Sequence, residues 1–299
     1  MKPDFKGVFS AIVTPFDQRG EIDEPALRTI VSAAIEAGVD GFAPTGSTGE
    51  FTSLTTAERK RVVEIVVDEA AGRVPVVPQT GALTTAEAVE HSRHAADVGA
   101  AAVFAIAPFY EPLELDDLRG YYEAIAAAVE VPVGIYNLPQ ATGVNLDPDW
   151  VGALAREVES IGFIKDSTGD FTQLGRLVKD HGDQLTVFNG ADTMLLAAYG
   201  LGADAAIIGA PNIVPAACAA VYDAWSEGRH DDAAEQLDRI YPLLQNLLSG
   251  AYYPAVVKSA LELIGKSAGE PRLPVRPLAG EQREELRAVL DRVGALAAA

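Results

Sequence analysis

The sequence predicts an α/β protein, a (β/α)₈ barrel followed by a small C-terminal helical domain. Short apolar runs recur eight times in residues 1–210, each followed by an amphipathic stretch, and no strand-like run occurs after His230. Strands that alternate with helices of about 10–15 residues indicate βαβ units and a parallel sheet. Eight such units in roughly 225 residues fit a closed barrel better than an open, doubly wound sheet, which more often has about five or six strands.

The predicted strands are apolar runs that end at a turn-forming or polar residue, and the predicted helices have apolar residues three or four positions apart. The strands are Gly7–Thr14, Val39–Ala43, Val74–Pro78, Ala102–Ala107, Val133–Tyr136, Ile161–Lys165, Leu185–Phe188 and Ala205–Ile208. The clearest helices are Glu24–Ala37, Thr56–Ala71, Thr85–Val98, Leu115–Val129, Asp231–Leu248, Pro254–Ile264 and Gly280–Leu296. We therefore predict a barrel domain over residues 1–228 and a three-helix domain over residues 229–299.

The composition excludes several classes of protein. The chain has 299 residues and a formal net charge of −20, and a field of that sign repels nucleic acid and anionic lipid. Cys218 is the only cysteine, so neither an intrachain disulfide nor a cysteine-based metal cluster can form. No apolar run approaches the roughly 20 residues of a membrane helix, and the first residues lack a signal-peptide pattern. We expect a cytoplasmic protein with no metal, no membrane and no nucleic-acid partner.

In a barrel of this kind the chemistry is found where the strands end, because the loops that follow them converge there. Lys165 ends the sixth predicted strand after a run of uncharged residues. Desolvation of an ammonium group favours the free amine, which is the form that attacks a ketone to give a Schiff base. Lys165 is therefore a candidate nucleophile. The alternatives from this residue alone are a lysine that reaches solvent or one that pairs with Asp166.

Two further features lie at the same end of the predicted barrel. Tyr136 closes the fifth strand, one step from Lys165, and its phenol could transfer protons between substrate and amine. Alone, it could equally be a rim aromatic. Ser47 and Thr48 lie in a Gly-flanked turn after the second strand, where backbone N–H groups and two hydroxyls could bind a carboxylate, although such a turn alone is only a turn.

At these residues the chain resembles the dihydrodipicolinate synthase and N-acetylneuraminate lyase superfamily, the pyruvate-dependent class I aldolases. Five motifs carry the resemblance in the family's order and spacing. They are GSTGE at 46–50, FY at 109–110, YNLP at 136–139 with TG at 142–143, IKDSTGD at 164–170, and NGAD at 189–192. The family has a (β/α)₈ barrel with C-terminal helices and is usually a homotetramer, which agrees with the predicted architecture.

The resemblance implies a role for each matching residue. Lys165 would form a Schiff base with a 2-oxo acid, without any cofactor, and Tyr136 would shuttle protons. Ser47 and Thr48 would hold the carboxylate of that acid, and Thr48 would link Tyr136 to a second tyrosine, Tyr110, supplied by a neighbouring subunit. The residues that match pocket-lining positions are Ser167, Gly190, Asp192 and the Ile207 carbonyl. Glu50 is interpreted as a support for its own loop.

Departures from the family motifs narrow the choice of substrate. Dihydrodipicolinate synthases usually carry Arg two places after the Pro of the YN-x-P motif, where it binds the carboxylate of the aldehyde; this chain has Ala141. N-acetylneuraminate lyases usually show Glu and Ser where this chain has Thr193 and Gly209. The segment Ala141-Thr142-Gly143 instead resembles 2-keto-3-deoxygluconate aldolases, which form pyruvate and glyceraldehyde.

The sequence thus predicts a carbon–carbon lyase that cleaves 2-keto-3-deoxygluconate-type acids reversibly to pyruvate and an aldehyde. Aldolases of this type that also accept the 6-phosphate carry an Arg and a Tyr where this chain has Leu113 and Leu138, so we expect a preference for the unphosphorylated acid. The alternatives are a keto-deoxy sugar acid dehydratase, a dihydrodipicolinate synthase and an N-acetylneuraminate lyase. A non-catalytic barrel that binds a 2-oxo acid is the alternative from another class.

Overall fold

The computed structural model describes residues 1–249 and 252–296, which belong to two compact units. The first unit consists of Met1–Gly7 and Pro75–Ile207, and the second of Val8–Val74 and Ile208–Ala299. The predicted division into residues 1–228 and 229–299 stays a prediction. Residues 250, 251 and 297–299 of the predicted helical domain lie outside the described residues.

The described residues form seven β-strands and twelve α-helices. The strands are β1 Gly7–Ser10, β2 Gly41–Phe42, β3 Val103–Ile106, β4 Val133–Asn137, β5 Ile161–Asp166, β6 Thr186–Asn189 and β7 Ala205–Ile208. The helices are α1 Glu24–Glu36, α2 Thr56–Ala70, α3 Thr85–Asp97, α4 Leu115–Ala126, α5 Pro139–Thr142, α6 Pro148–Glu157, α7 Phe171–His181, α8 Leu195–Leu201, α9 Pro215–Ser226, α10 His230–Asn246, α11 Tyr253–Leu263 and α12 Gly280–Arg292. All seven predicted helices are present, with ends within about four residues of those predicted.

In the first unit, β3 to β7 pair in parallel in chain order. Every residue of β5 is buried, as expected for a parallel strand covered on both faces. The Phe163 ring packs against the rings of Phe104 and Phe188. A Cβ at Gly134 would overlap the Phe163 ring, so glycine is required for this packing.

The third predicted strand, Val74–Pro78, is not a strand in the structure. Its residues from Pro75 onward still lie beside β3, because the Ala101 N–H donates to the Val76 carbonyl and the Phe104 N–H to the Pro78 carbonyl. Pro75 and Pro78 have no N–H to donate in return, which breaks a regular ladder. A parallel bridge between Gln79 and Phe104 remains.

In the second unit, β1 and β2 pair in parallel, with Phe9 opposite Gly41. The predicted first strand continues to Thr14, but the ladder ends at Ser10. Asn212 replaces it there: its side chain donates to the Ala11 and Gly209 carbonyls and accepts from the Val13 N–H. Helix α2 begins with a reciprocal capping box between Thr55 and Glu58.

Candidate active site

Lys165 and Tyr136 occupy paired positions on the neighbouring strands β5 and β4 of the first unit. Both side chains are buried, with 6% and 4% of their surfaces exposed. The Lys165 Nζ lies 4.2 Å from the centroid of the Tyr136 ring and 5.8 Å from that of Phe104. Within the described residues of this unit, Lys165 forms no ion pair. The amine is thus held against aromatic faces, and the pairing with Asp166 that the sequence left open is not found.

Asp166 instead points into a buried polar network behind the strand end. Its carboxylate accepts hydrogen bonds from Asn137 Nδ2 at 2.9 Å, Gln173 Nε2 at 3.1 Å and Thr168 Oγ1 at 2.6 Å. Burial raises the pKa of Asp166, although these hydrogen bonds act in the opposite direction. Because Asn137 follows Tyr136 and Asp166 follows Lys165, this network fixes the two strands at the positions next to Lys165 and Tyr136.

Ser167 and Gly190 lie beside Lys165. The Ser167 Oγ donates to the Gly190 carbonyl at 3.1 Å, and the Gly190 N–H donates to the Asp166 carbonyl at 2.7 Å. A Cβ built on Gly190 would overlap the Ser167 Oγ and lie 3.0 Å from the Lys165 Cε. A side chain at position 190 would therefore force the Ser167 hydroxyl to move and would press on the Lys165 stem.

The other predicted site residues of the first unit are less closely defined. Asp192 is buried at the start of a short 3₁₀ turn, and Ile207 is fully buried in β7. Tyr110 is 84% exposed in the single chain, so it is not packed into a site here. Their roles remain predictions.

In the second unit, residues 45–50 form a tight loop after β2, which we call the 45–50 loop. The Glu50 N–H donates to the Ser47 carbonyl at 3.1 Å, and the Thr14 hydroxyl donates to the Gly49 carbonyl at 2.8 Å. Thr45 and Glu50 both have left-handed backbones, with φ values of 56° and 55°. Residues other than glycine adopt this conformation only where the surrounding structure enforces it.

Ser47 and Thr48 lie at the centre of this loop. Within the described residues of the second unit, neither their backbone N–H groups nor their hydroxyls donate a hydrogen bond. Two N–H groups and two hydroxyls in one turn can receive an anion, and an unsatisfied set of this kind suits a carboxylate. The geometry is compatible with the predicted role of the two residues.

Glu50, predicted to support its own loop, is paired with a lysine that was not predicted from sequence. The Glu50 Oε1 is 2.6 Å from Nζ of Lys258 in α11, and both side chains are almost completely buried. Burial lowers the pKa of Lys258 to about 8, against the stabilising effect of Glu50. A sequence signal existed, because Lys258 is the single charged residue within the apolar segment 254–261.

Neither a candidate metal-binding cluster nor a candidate membrane helix is found in the described part of the chain. No group of three or more His, Cys, Asp or Glu side chains there is arranged to hold a metal ion. None of the described helices is both long and apolar enough to cross a membrane.

Comparisons with known proteins identify the class. Residues 4–293 match the model of the Dihydrodipicolinate synthetase family. A curated 4-hydroxy-tetrahydrodipicolinate synthase from Syntrophus aciditrophicus is 38% identical over 290 residues, which cover 97% of this chain and 99% of that protein. The chain therefore belongs to the dihydrodipicolinate synthetase family, as its five motifs predicted.

Solved structures agree over nearly the whole chain. The dihydrodipicolinate synthase from Acinetobacter baumannii, solved with pyruvate, is 34% identical with a TM-score of 0.94, covering 97% of this chain and 99% of that one. YagE, a family member from Escherichia coli K12 also solved with pyruvate, is 31% identical with a TM-score of 0.93 and the same coverage. These matches confirm the predicted barrel-like α/β fold with a parallel sheet and C-terminal helices.

The family assignment also fixes the general chemistry. Its members are pyruvate-using class I aldolases or lyases that work through a covalent Schiff base and need no cofactor, so this chain is an enzyme of that class. The curated relative is named a synthase. The specific resemblance to 2-keto-3-deoxygluconate aldolases therefore gains no support from these matches.

Proposed function

We propose that Lys165 forms the Schiff base with pyruvate and that Tyr136 transfers the protons. The observation that carries this proposal is the buried Lys165 amine, which lies 4.2 Å from the centroid of the Tyr136 ring and has no counterion among the described residues of its unit. Family motifs support the remaining roles. Ser47 and Thr48 bind the carboxylate, Tyr110 of a neighbouring subunit joins the proton relay, and the pocket is lined by Ser167, Gly190, Asp192 and the Ile207 carbonyl.

The cleavage reaction then proceeds in balanced steps. The Lys165 amine attacks the C2 carbonyl of a 2-keto-3-deoxy acid, and loss of water gives a protonated imine. Tyr136 removes the proton of the C4 hydroxyl, the C3–C4 bond breaks, and its electrons pass to the imine as an enamine while the aldehyde leaves. Protonation at C3 and hydrolysis release pyruvate and restore the amine. The cationic imine nitrogen accepts the electron pair.

For the second substrate we propose an aldehyde without a carboxylate, as formed from 2-keto-3-deoxygluconate. Ala141 lies in α5, and its exposed methyl group offers no charge at the position where synthases usually carry Arg. The neighbouring Gln140 amide is occupied, since it donates to the Ser167 and Thr168 carbonyls. The leucines at 113 and 138 favour the unphosphorylated sugar acid over its 6-phosphate.

A second candidate is 4-hydroxy-tetrahydrodipicolinate synthase, in which pyruvate condenses with L-aspartate 4-semialdehyde. The name of the Syntrophus relative favours it, and the mechanism at Lys165 is unchanged. The dehydratase alternative differs from the cleavage reaction because the bound acid loses water and stays in one piece. The non-catalytic barrel is set aside, because the family to which the chain belongs consists of enzymes. N-acetylneuraminate lyase is disfavoured by Thr193 and Gly209.

The experiment compares kcat/KM for 2-keto-3-deoxygluconate, its 6-phosphate and L-aspartate 4-semialdehyde with pyruvate. We expect the unphosphorylated sugar acid to be preferred over both of the others. The variant Ala141→Arg restores the missing cation and should raise kcat/KM for the semialdehyde. A wild-type preference for the semialdehyde would establish the synthase instead, and comparable values for the two sugar acids would contradict the phosphate discrimination.

We also propose a cytoplasmic homotetramer, because the family usually assembles so and the proposed Tyr110 role needs a neighbouring subunit. The molar mass in solution, measured by light scattering, tests this directly. A mixture of Lys165→Ala and Tyr110→Phe subunits provides a second test. Re-association should restore more activity than either variant shows alone, because some sites regain both residues.

A further inference from the structure

Both carboxylate oxygens of Glu50 are held by groups that lie more than 200 positions further along the chain. Oε1 is 2.6 Å from the Lys258 Nζ, and Oε2 accepts the backbone N–H of Arg272 at 3.0 Å. Only 2% of the Glu50 side chain is exposed. The end of the 45–50 loop is therefore attached to the C-terminal segment of its own unit at two points.

Lys258 is enclosed as completely as its partner. Its side chain is 1% exposed, its Nζ lies 3.9 Å from the centroid of the Phe16 ring, and it donates to the Glu270 carbonyl at 3.3 Å. Breaking a buried pair by removing one partner leaves the other charge unpaired away from water, which is strongly unfavourable. Each group therefore fixes the position of the other.

Arg272 supports the same arrangement from its other side. Its guanidinium lies 4.3 Å from the centroid of the Phe16 ring. The same group donates to the Ser53 carbonyl at 3.0 Å, to the Gly20 carbonyl and to the Glu58 carboxylate. Arg272 thus holds the residues that follow the loop, at Ser53 and Glu58, in addition to the Glu50 carboxylate.

The 45–50 loop holds the residues proposed to bind the substrate carboxylate. Glu50 itself has φ 55° and ψ 38°, a left-handed backbone that a non-glycine residue keeps only when its surroundings require it. Loss of the pair releases Glu50 toward ordinary backbone angles. The hydrogen bond from the Glu50 N–H to the Ser47 carbonyl, which closes the loop around Ser47 and Thr48, would then be lost.

We propose that Glu50 and Lys258 are a positioning pair that presets the 45–50 loop for the 2-oxo acid carboxylate and so sets the affinity for pyruvate. The inference rests on the proposed role of Ser47 and Thr48. Neither member of the pair touches the reacting atoms. Its loss weakens binding of the ground state and the transition state together, which raises KM and leaves kcat nearly unchanged.

The test uses Glu50→Gln, Lys258→Met and the double variant, with Lys266→Met as a matched control at an exposed lysine of the same segment. Borohydride trapping over a series of pyruvate concentrations gives the concentration for half-maximal adduct at Lys165, and steady-state kinetics give kcat. We expect each single variant to raise the half-maximal concentration about tenfold or more, with kcat within about threefold. The half-maximal concentration should rise less in the double variant than in either single variant, because no unpaired buried charge remains.

The outcomes separate this proposal from the proposed function. If wild-type protein forms no adduct at Lys165, the proposed function fails. If the adduct forms and the folded variants keep the half-maximal concentration within about twofold of wild type, only the positioning pair is overturned. Glu50→Asp keeps both charges and serves where a charge-removing variant does not fold. Because it retracts the carboxylate by one methylene, we expect a rise of about threefold or more, and an unchanged value would overturn the proposal.

Discussion

Tyr136 and Lys165 are directly paired across β4 and β5, with the lysine Nζ 4.2 Å from the centroid of the tyrosine ring. The next residues along both strands, Asn137 and Asp166, are joined by a buried hydrogen bond of 2.9 Å. Lys165 and Tyr136 thus lie on adjacent strands whose register is fixed by the next residue of each strand. Side chains carried on rigid strands keep their distance and orientation relative to one another. The proposed nucleophile and proton shuttle require this.

The Tyr136→Phe variant should slow turnover by about 10²–10⁴-fold, the usual contribution of a positioned general acid or base. Borohydride trapping should still place pyruvate on Lys165, since the amine remains. The matched control is Tyr122→Phe, which removes a buried phenol that only donates to the Ala105 carbonyl at 3.1 Å. That control should lower the unfolding temperature and leave kcat unchanged. Near-wild-type turnover in Tyr136→Phe would show that Tyr136 does not transfer the protons.

The Gly190→Ala variant should lose most activity, because the new methyl group would overlap the Ser167 Oγ and press on the Lys165 Cε. Overpacking of a tight site typically costs about 1–3 kcal/mol, so the free energy of unfolding should fall as well. Gly120→Ala is the control, since a Cβ there meets no atom within 4 Å and alanine favours its helix. Full activity in Gly190→Ala would show that the lysine stem does not depend on this close approach.

The Glu58–Arg272 pair gives a prediction about pH and stability. The Arg272 hydrogen bond lowers the pKa of Glu58 from 4.5 to about 2. A carboxyl whose pKa is lower in the folded state stabilises the fold above its unfolded pKa and loses this effect as the pH falls toward its folded pKa. The free energy of unfolding should therefore differ between wild type and Glu58→Gln by a constant amount above about pH 5 and by less at lower pH.

Urea unfolding from pH 7 downward measures this difference. Glu36→Gln, at an exposed residue with no ion pair in the described part of the chain, is the control and should show no such trend. A difference between wild type and Glu58→Gln that stays constant from pH 7 to pH 3 would contradict the role of the carboxylate charge.

Much of the fold, and the neighbouring positions of Lys165 and Tyr136, could be predicted from sequence because burial leaves a simple pattern. A parallel strand covered on both faces is a continuous apolar run, and Lys165 and Tyr136 are polar groups at the ends of such runs. The Gly-flanked turn indicated Ser47 and Thr48, and the family motifs then added Ser167 and Gly190. The prediction of a third strand at Val74–Pro78 was wrong, because Pro75 and Pro78 lack the N–H groups that a regular ladder needs. The apolar character of the run does not show this loss.

The interaction partners of the site residues could not be predicted from local sequence patterns. Glu50 and Lys258 are separated by 207 intervening residues. The sequence around either residue does not indicate that the other is its partner. The hydrogen bonds of Asp166 to Asn137 and Gln173 likewise depend on strand register and helix placement. Such contacts follow from the folded arrangement, so they become visible only in the structure.

Lys165 is the residue that we propose forms the Schiff base. Reduction with borohydride in the presence of pyruvate, followed by intact mass and peptide mapping, tests this proposal most directly. We expect one pyruvyl adduct per chain, on Lys165, and none in Lys165→Ala. An adduct on Lys258, or no adduct on a protein shown to be folded, would contradict it.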